Sequence, residues 1–244
     1  MKTVSFFIIR FLIVGNLLAL FGNSFLADLA AFPMASAINC SAFESPNQKI
    51  KTKPKKSLGA RPALPSPVWV IGSYDKDGRP NAMTSAWAGI CCSRPPCVTI
   101  SLRKETYTYG NILEKKAFTV NIPSESQAAY AAYFGSVSGK QIDKFSATGL
   151  TPVKSHLVDA PYIAEFPLVL ECKLIQTLEL GSHTMFIGEI IDMKADETIL
   201  TPEGGLDVEK LKGFFFLPGR GKFYRYGDFL GDIAPLAEKI KTKK

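Results

Sequence analysis

The stretch PNAMTSAWAGICCSRPPCVTISLR, residues 80–103, decides the fold. It follows PVWVIGSYD (67–75), a β-branched and aromatic run, across the turn signal DKDG at 75–78. Two such runs around a glycine-bearing turn predict a hairpin. The second strand is expected to run from 80 to 92, with a break at Gly89. Pro95 and Pro96 are then expected to end its pairing, since proline brings no N–H to a ladder. On a strand residues i and i+2 share a face, which puts Thr84, Ala86 and Ala88 on one side and Ser85 and Trp87 on the other. That mixture of hydroxyl, small and aromatic groups, running into Gly89, suits a planar polar ligand. It equally suits a barrel wall whose hydroxyls serve nearby backbone. By the same alternation Cys91 and Cys92 point to opposite faces, one buried and one toward the site, rather than to each other.

Working outward, CVTISLR (97–103) is a third strand and AFTVNIP (117–123) a fourth. KETYTYGNILEKK (104–116) between them reads as a helix with an acidic start and a basic end, the order a helix dipole favours. SESQAAYAAYFG (124–135) is a second helix, with Ser124 as cap and Gly135 as stop. A polar loop follows, then two long strands, 167–180 and 183–196, joined at Gly181-Ser182. GFFFLP (213–218) and KFYRYG (222–227) are expected to complete the sheet, and a basic helix over 236–244 closes the chain. Strand–helix–strand alternation does not persist, so the pattern predicts a closed antiparallel barrel rather than a parallel sheet.

The chain has 244 residues, 46% of them hydrophobic, enough for one domain with a sizeable core. Its net charge of +7 is unevenly spread. Residues 1–61 hold eight Lys or Arg against two acids, so +6 of the total lies there. The rest is nearly neutral, which argues against a nucleic-acid-binding face. Lys2 and Arg10 ahead of FLIVGNLLAL, with ASA at 35–37, have the layout of a signal peptide over 1–37. A membrane anchor is the alternative, although Asn16, Asn23 and Asp28 interrupt the apolar run. Residues 38–61 read as a basic flexible linker and 62–244 as the folded domain. The expected location is exported, periplasmic or membrane-tethered, or cytoplasmic if the extension is no true leader. Five cysteines without a CxxC pair, and only His156 and His183, offer no zinc set.

Thr106 and Thr108 fall in the first turn of the 104–116 helix, where free amides and the dipole favour an anion. Arg103 and Lys104 stand just before it. The alternative is a capped surface helix.

The ordered set TSAWAGICCSRPPCVTISLR, TYTYGNI, AFTVN, DKFSATGL and SHTMFIGEI resembles the flavoredoxin branch of the flavin reductase-like, FMN-binding split-barrel family, over residues 58–235. The resemblance implies a mainly β fold: a six-stranded antiparallel Greek-key split barrel with flanking helices, a homodimer binding one FMN per subunit. It places Thr84, Ser85, Ala86 and Trp87 beside the flavin, with Cys91, Cys92 and Ser93 along the ring edge. Ser101, Leu102 and Arg103 would lie toward the phosphate with Thr106, Thr108 and Asn111. Lys140, Lys144 and Phe145 would border the pocket, and His183 would stand near the open flavin face as the catalytic residue. Tyr224 and Tyr226 either cover the pocket or close the barrel seam.

The implied function is an oxidoreductase passing electrons from NAD(P)H through FMN to flavin, a metal chelate or a protein acceptor. The alternatives are an electron carrier between protein partners and a flavin-binding or haem-handling barrel without turnover. No GxGxxG motif is present, so a nicotinamide would bind transiently over the flavin.

Overall fold

The computed structural model describes residues 53–241. The signal peptide or anchor expected over 1–37, and residues 38–52 of the expected linker, lie outside the described residues. Residues 53–61 are exposed and carry no helix or strand. Leu58–Lys244 form one compact unit.

Among the described residues the first element is a short strand, β1 (Ser66–Pro67), and the barrel begins at β2 (Trp69–Tyr74). The expected second strand is two: β3 (Pro80–Ser85) and β4 (Ala88–Ser93), parted by a bend at Ala86 and Trp87. Then come β5 (Pro96–Leu102), helix α1 (Tyr107–Lys115), β6 (Ala117–Ile122), α2 (Ala128–Ser136) and a third short helix, α3 (Lys144–Thr148). A small hairpin, β7 (Pro152–Lys154) and β8 (Pro161–Ile163), precedes the long pair β9 (Leu168–Leu180) and β10 (His183–Ala195). The chain ends with α4 (Val208–Leu211), β11 (Phe214–Leu217), β12 (Lys222–Arg225) and α5 (Ile233–Lys241).

The main sheet runs β3-β2-β6-β9-β10-β5-β4, antiparallel throughout. Its two edge strands are consecutive in the chain and meet at the 86–87 bend, where the Ser101 amide donates to the Trp87 carbonyl at 2.7 Å. Counted as one bent strand, β3–β4 closes a six-stranded barrel, and β5 reaches β6 only by crossing the barrel end through α1. This is the antiparallel barrel that the sequence pattern predicts, with the Greek-key order and flanking helices that the family resemblance implies.

Alternation builds two cores. Val70 points outward to Ala82, Ala131, Phe134 and Phe145, beneath α2 and α3. Ile71 points inward to Val98, Ile100, Phe118, Val120 and Phe186. Gly188 on β10 makes room for that interior, because a Cβ there would come within 2.4 Å of the Phe118 ring.

Four expectations are corrected. Pro96 lies within β5, opposite Ser93, so the prolines shape a hairpin turn instead of ending the pairing. Cys91 and Cys92 are both exposed. Their strand is a sheet edge whose register shifts between Ile90 and Cys92, which removes the simple two-face alternation. The first helix starts at 107 with no acid in its first turn, since residues 103–106 form a turn closed by the Thr106 amide on the Arg103 carbonyl at 3.1 Å. β11 and β12 do not complete the main sheet. They form a separate three-stranded sheet with β1, which brings the C-terminal aromatics over the end of β3.

Candidate functional site

A cleft runs between the 86–87 bend, the start of α1 and helix α2. Its first part is a cavity of about 750 Å³. Thr84, Ser85, Ala86 and Trp87 form one wall, Ser101, Leu102 and Arg103 another, with Thr106 and His183 at the rim. The bend puts these residues here: it ends β3, swings Trp87 outward and lets β5 run past the opening. The second part, about 560 Å³, shares Met83, Arg103, Thr106 and Gly135 with the first. It adds Asn81, Thr108 and Lys144.

The two parts differ in chemistry. The first is walled by Val68, Met83, Leu102, Phe216 and Phe223. Phe216 and Phe223 sit directly opposite each other on β11 and β12, ring centroids 5.9 Å apart. Trp87 and His183 meet edge to face at 6.0 Å, and His183 Nδ1 pairs with Ser182 Oγ at 2.8 Å. Thr84 Oγ1 donates to the Ala131 carbonyl at 2.6 Å, tying β3 to α2 behind the cavity.

The second part is polar. Asn81 Nδ2 donates to Thr108 Oγ1 at 2.9 Å, and Asn111 Nδ2 donates to Ser73 Oγ at 3.1 Å. Thr106 takes the N-cap position of α1 but turns its hydroxyl back to donate to the Arg103 carbonyl at 2.8 Å. No side chain therefore caps the first-turn amides of α1, leaving the dipole end open to an anion. Lys144 is buried, and its Nζ donates to the carbonyls of Ala82 at 2.7 Å and Phe134 at 2.9 Å. Burial lowers its pKa to about 8. Lys104 is paired with Glu179 at 2.6 Å. Among the described residues neither Arg103 nor Lys144 has a carboxylate partner.

Two buried side-chain oxygens on β3 have no hydrogen-bond partner in the protein, Ser85 Oγ and Asn81 Oδ1; their residues border the first and second parts respectively. A buried polar atom left unpaired costs about 1–3 kcal/mol.

Several predicted site residues lie elsewhere. Cys91, Cys92 and Ser93 stand exposed on the β4–β5 hairpin and line neither cavity. Asn111 and Phe145 are buried, Asn111 under the polar end and Phe145 in the outer core. Lys140 borders a smaller neighbouring cavity and reaches the Glu105 carbonyl at 3.4 Å. Tyr224 stacks on Phe215 at 5.6 Å, on the side of the hairpin away from Phe216. Sequence reasoning missed Val68, Met83, Ala131, Gly135 and Asn81, and the pair Phe216 and Phe223. The alternation of GFFFLP and KFYRYG marks both phenylalanines as sharing a face, but not what that face covers.

Residues 61–206 match the flavin reductase-like domain. The chain belongs to the flavin reductase-like family. It is similar to the flavoredoxin of Desulfovibrio vulgaris (Miyazaki F), 50% identical, over 74% of this chain and 97% of that one, TM-score 0.71. Flavoredoxin from Methanosarcina acetivorans is 28% identical over 78% of this chain and 99% of that one, TM-score 0.70. The reductase component of a 4-nitrophenol 4-monooxygenase/4-nitrocatechol 2-monooxygenase from Rhodococcus opacus is 30% identical, over 61% of this chain and 74% of the relative.

These likenesses correct the expected location. The matches take up 97% and 99% of the two flavoredoxin chains but only 74% and 78% of this one. No helix among the described residues is long and apolar enough to cross a membrane. The exported or membrane-tethered assignment is withdrawn.

Proposed function

We propose that the chain is an FMN-dependent oxidoreductase of the flavin reductase type. The observation that carries this reading is that β3 borders both an apolar, aromatic cavity and an adjoining polar one with an uncapped helix start and a buried lysine. FMN has the matching halves, a flat ring and a phosphate.

The ring belongs with Thr84, Ser85, Ala86, Trp87 and Leu102, between the strand bend and the aromatic pair Phe216 and Phe223. The phosphate belongs with Arg103, Thr106, Thr108 and the first-turn amides of α1, with the Lys144 charge beneath them. When bound, FMN supplies hydride and single-electron chemistry that no side chain of the cleft offers. The protein binds and orients the ring, keeps water from its buried face and leaves the other face to a donor. His183, held through Nδ1 by Ser182, presents Nε2 to a nicotinamide or another planar donor at the rim. Electrons pass on to free flavin, a metal chelate or a protein acceptor.

The active form is a homodimer. Ile175, Leu178 and Leu180 on β9, with Ile191 and Met193 on β10, are exposed apolar residues of a kind that a second copy would cover. A second reading, an electron carrier between protein partners, is favoured by the 50% identity to a flavoredoxin. Anaerobic titration of the flavin-loaded chain with NADH and NADPH tests both. The reductase loses its yellow absorbance on direct addition of one donor, whereas a carrier bleaches only when a separate reductase is present.

A further inference from the structure

The β4–β5 hairpin carries thiols that the cleft does not use. Cys92 and Cys97 face each other directly across it, one step in from the Ser93–Pro96 pair that closes the turn. Directly opposed residues of an antiparallel pair have Cα atoms about 4.5–5.5 Å apart. A disulfide spans Cα separations of about 4.4–6.8 Å. The two sulfurs already turn the same way: Cys92 Sγ donates to the Arg94 carbonyl and Cys97 Sγ to the Pro95 carbonyl, both at 3.4 Å. Cys91 has no such partner, because the register shift between Ile90 and Cys92 leaves it unpaired in the ladder. The accessibilities are also unequal. Cys97 is 2% exposed, whereas Cys92 lies in the open.

We propose that Cys92 and Cys97 form a redox-active dithiol that exchanges with low-molecular-weight dialkyl disulfides and closes to a cross-strand disulfide. Cys92, the reachable thiol, loses its proton to water and attacks one sulfur of the small disulfide. One thiolate leaves and takes up a proton, and a mixed disulfide remains on Cys92. Cys97 then loses its proton and attacks the Cys92 sulfur, expelling the second thiolate. The protein gives up two electrons and two protons, and one small disulfide becomes two thiols. Burial, with the neighbouring Cys92 and Cys91 thiols, holds the Cys97 pKa above its ordinary value. That slows attack on anything in solution, but the closing step is intramolecular and has the advantage of proximity. Cys92 is thereby the entry thiol and Cys97 the resolving one.

The test uses the purified full chain, reduced and then exposed under nitrogen to bis(2-hydroxyethyl) disulfide. Intact mass and peptide mapping after alkylation give the readout. The expected product yields a Cys92–Cys97 cross-linked peptide in which neither cysteine carries an adduct, whatever mixed disulfide forms on Cys40 or Cys91. C97S is expected to stop at a stable mixed disulfide on Cys92, and C91S to behave as the wild type. The wild-type mapping needs no variant to fold. Reduced Cys92 and Cys97 in the wild type, a persistent adduct on either of them, or a cross-link through Cys91 would each overturn the proposal.

Discussion

The two parts of the cleft share Met83, Arg103, Thr106 and Gly135 and otherwise oppose each other. One is walled by carbon: Val68, Leu102, Phe216 and Phe223. The other holds Asn81, Thr108, Lys144 and an uncapped helix start. A single strand, β3, serves both. Apolar walls reward any flat ring, with or without a phosphate. Only the polar part can tell FMN from riboflavin, so a substitution in each part should leave a different signature.

The largest effect is expected at the polar end from Gly139→Ala. Its Cβ would fall 2.1 Å from Asn81 Oδ1 and 2.9 Å from the Tyr107 ring. Overpacking of this kind costs about 3 kcal/mol, and titration should show FMN affinity falling while riboflavin affinity holds. Removing both hydroxyls in T106A/T108A should cost about 2 kcal/mol of FMN binding, again without loss of riboflavin. At the apolar end Phe223→Ala should weaken both ligands alike, by about 1 kcal/mol; a loss confined to FMN would break the division of labour. Ser85→Ala removes an unpaired buried hydroxyl. It should stabilise the flavin-free chain by about 1 kcal/mol in denaturant unfolding.

Lys144 gives the smallest effect, one that depends on pH. Its folded-state pKa of about 8 lies below the ordinary 10.5, so the unfolded chain holds more protons between those values. Stability of the flavin-free chain from this group therefore rises with pH across that window. FMN retention should fall over the same range as the charge is lost. K144M should flatten both slopes, as unfolding curves and FMN titrations at about pH 7 and about pH 9 would show.

Much of this was legible in the sequence, for local reasons. The β-branched runs set the barrel strands, and Ser101, Arg103 and Thr106 reach the cleft because they end β5 or precede α1. The bend at Ala86 and Trp87 was not legible. Nothing in TSAW breaks a strand, and the break at 86–87 comes from closing the sheet, where β3 must leave one edge and β4 join the other. That closure also carries Cys91, Cys92 and Ser93 out along the hairpin, away from the cavities. The aromatic wall was hidden for a different reason: Phe216 and Phe223 belong to a second sheet whose position depends on pairing with β1, a contact some 150 residues distant in the chain. Cys92 and Cys97 escaped notice because their spacing has meaning only once the hairpin register is known.

The most direct measurement is a paired fluorescence titration of the full chain with FMN and with riboflavin. The expected result is tight, one-to-one binding of FMN, weaker binding of riboflavin, and near equality of the two in T106A/T108A. Equal affinities in the wild type, or binding of neither, would contradict a flavin lying across the two halves of the cleft.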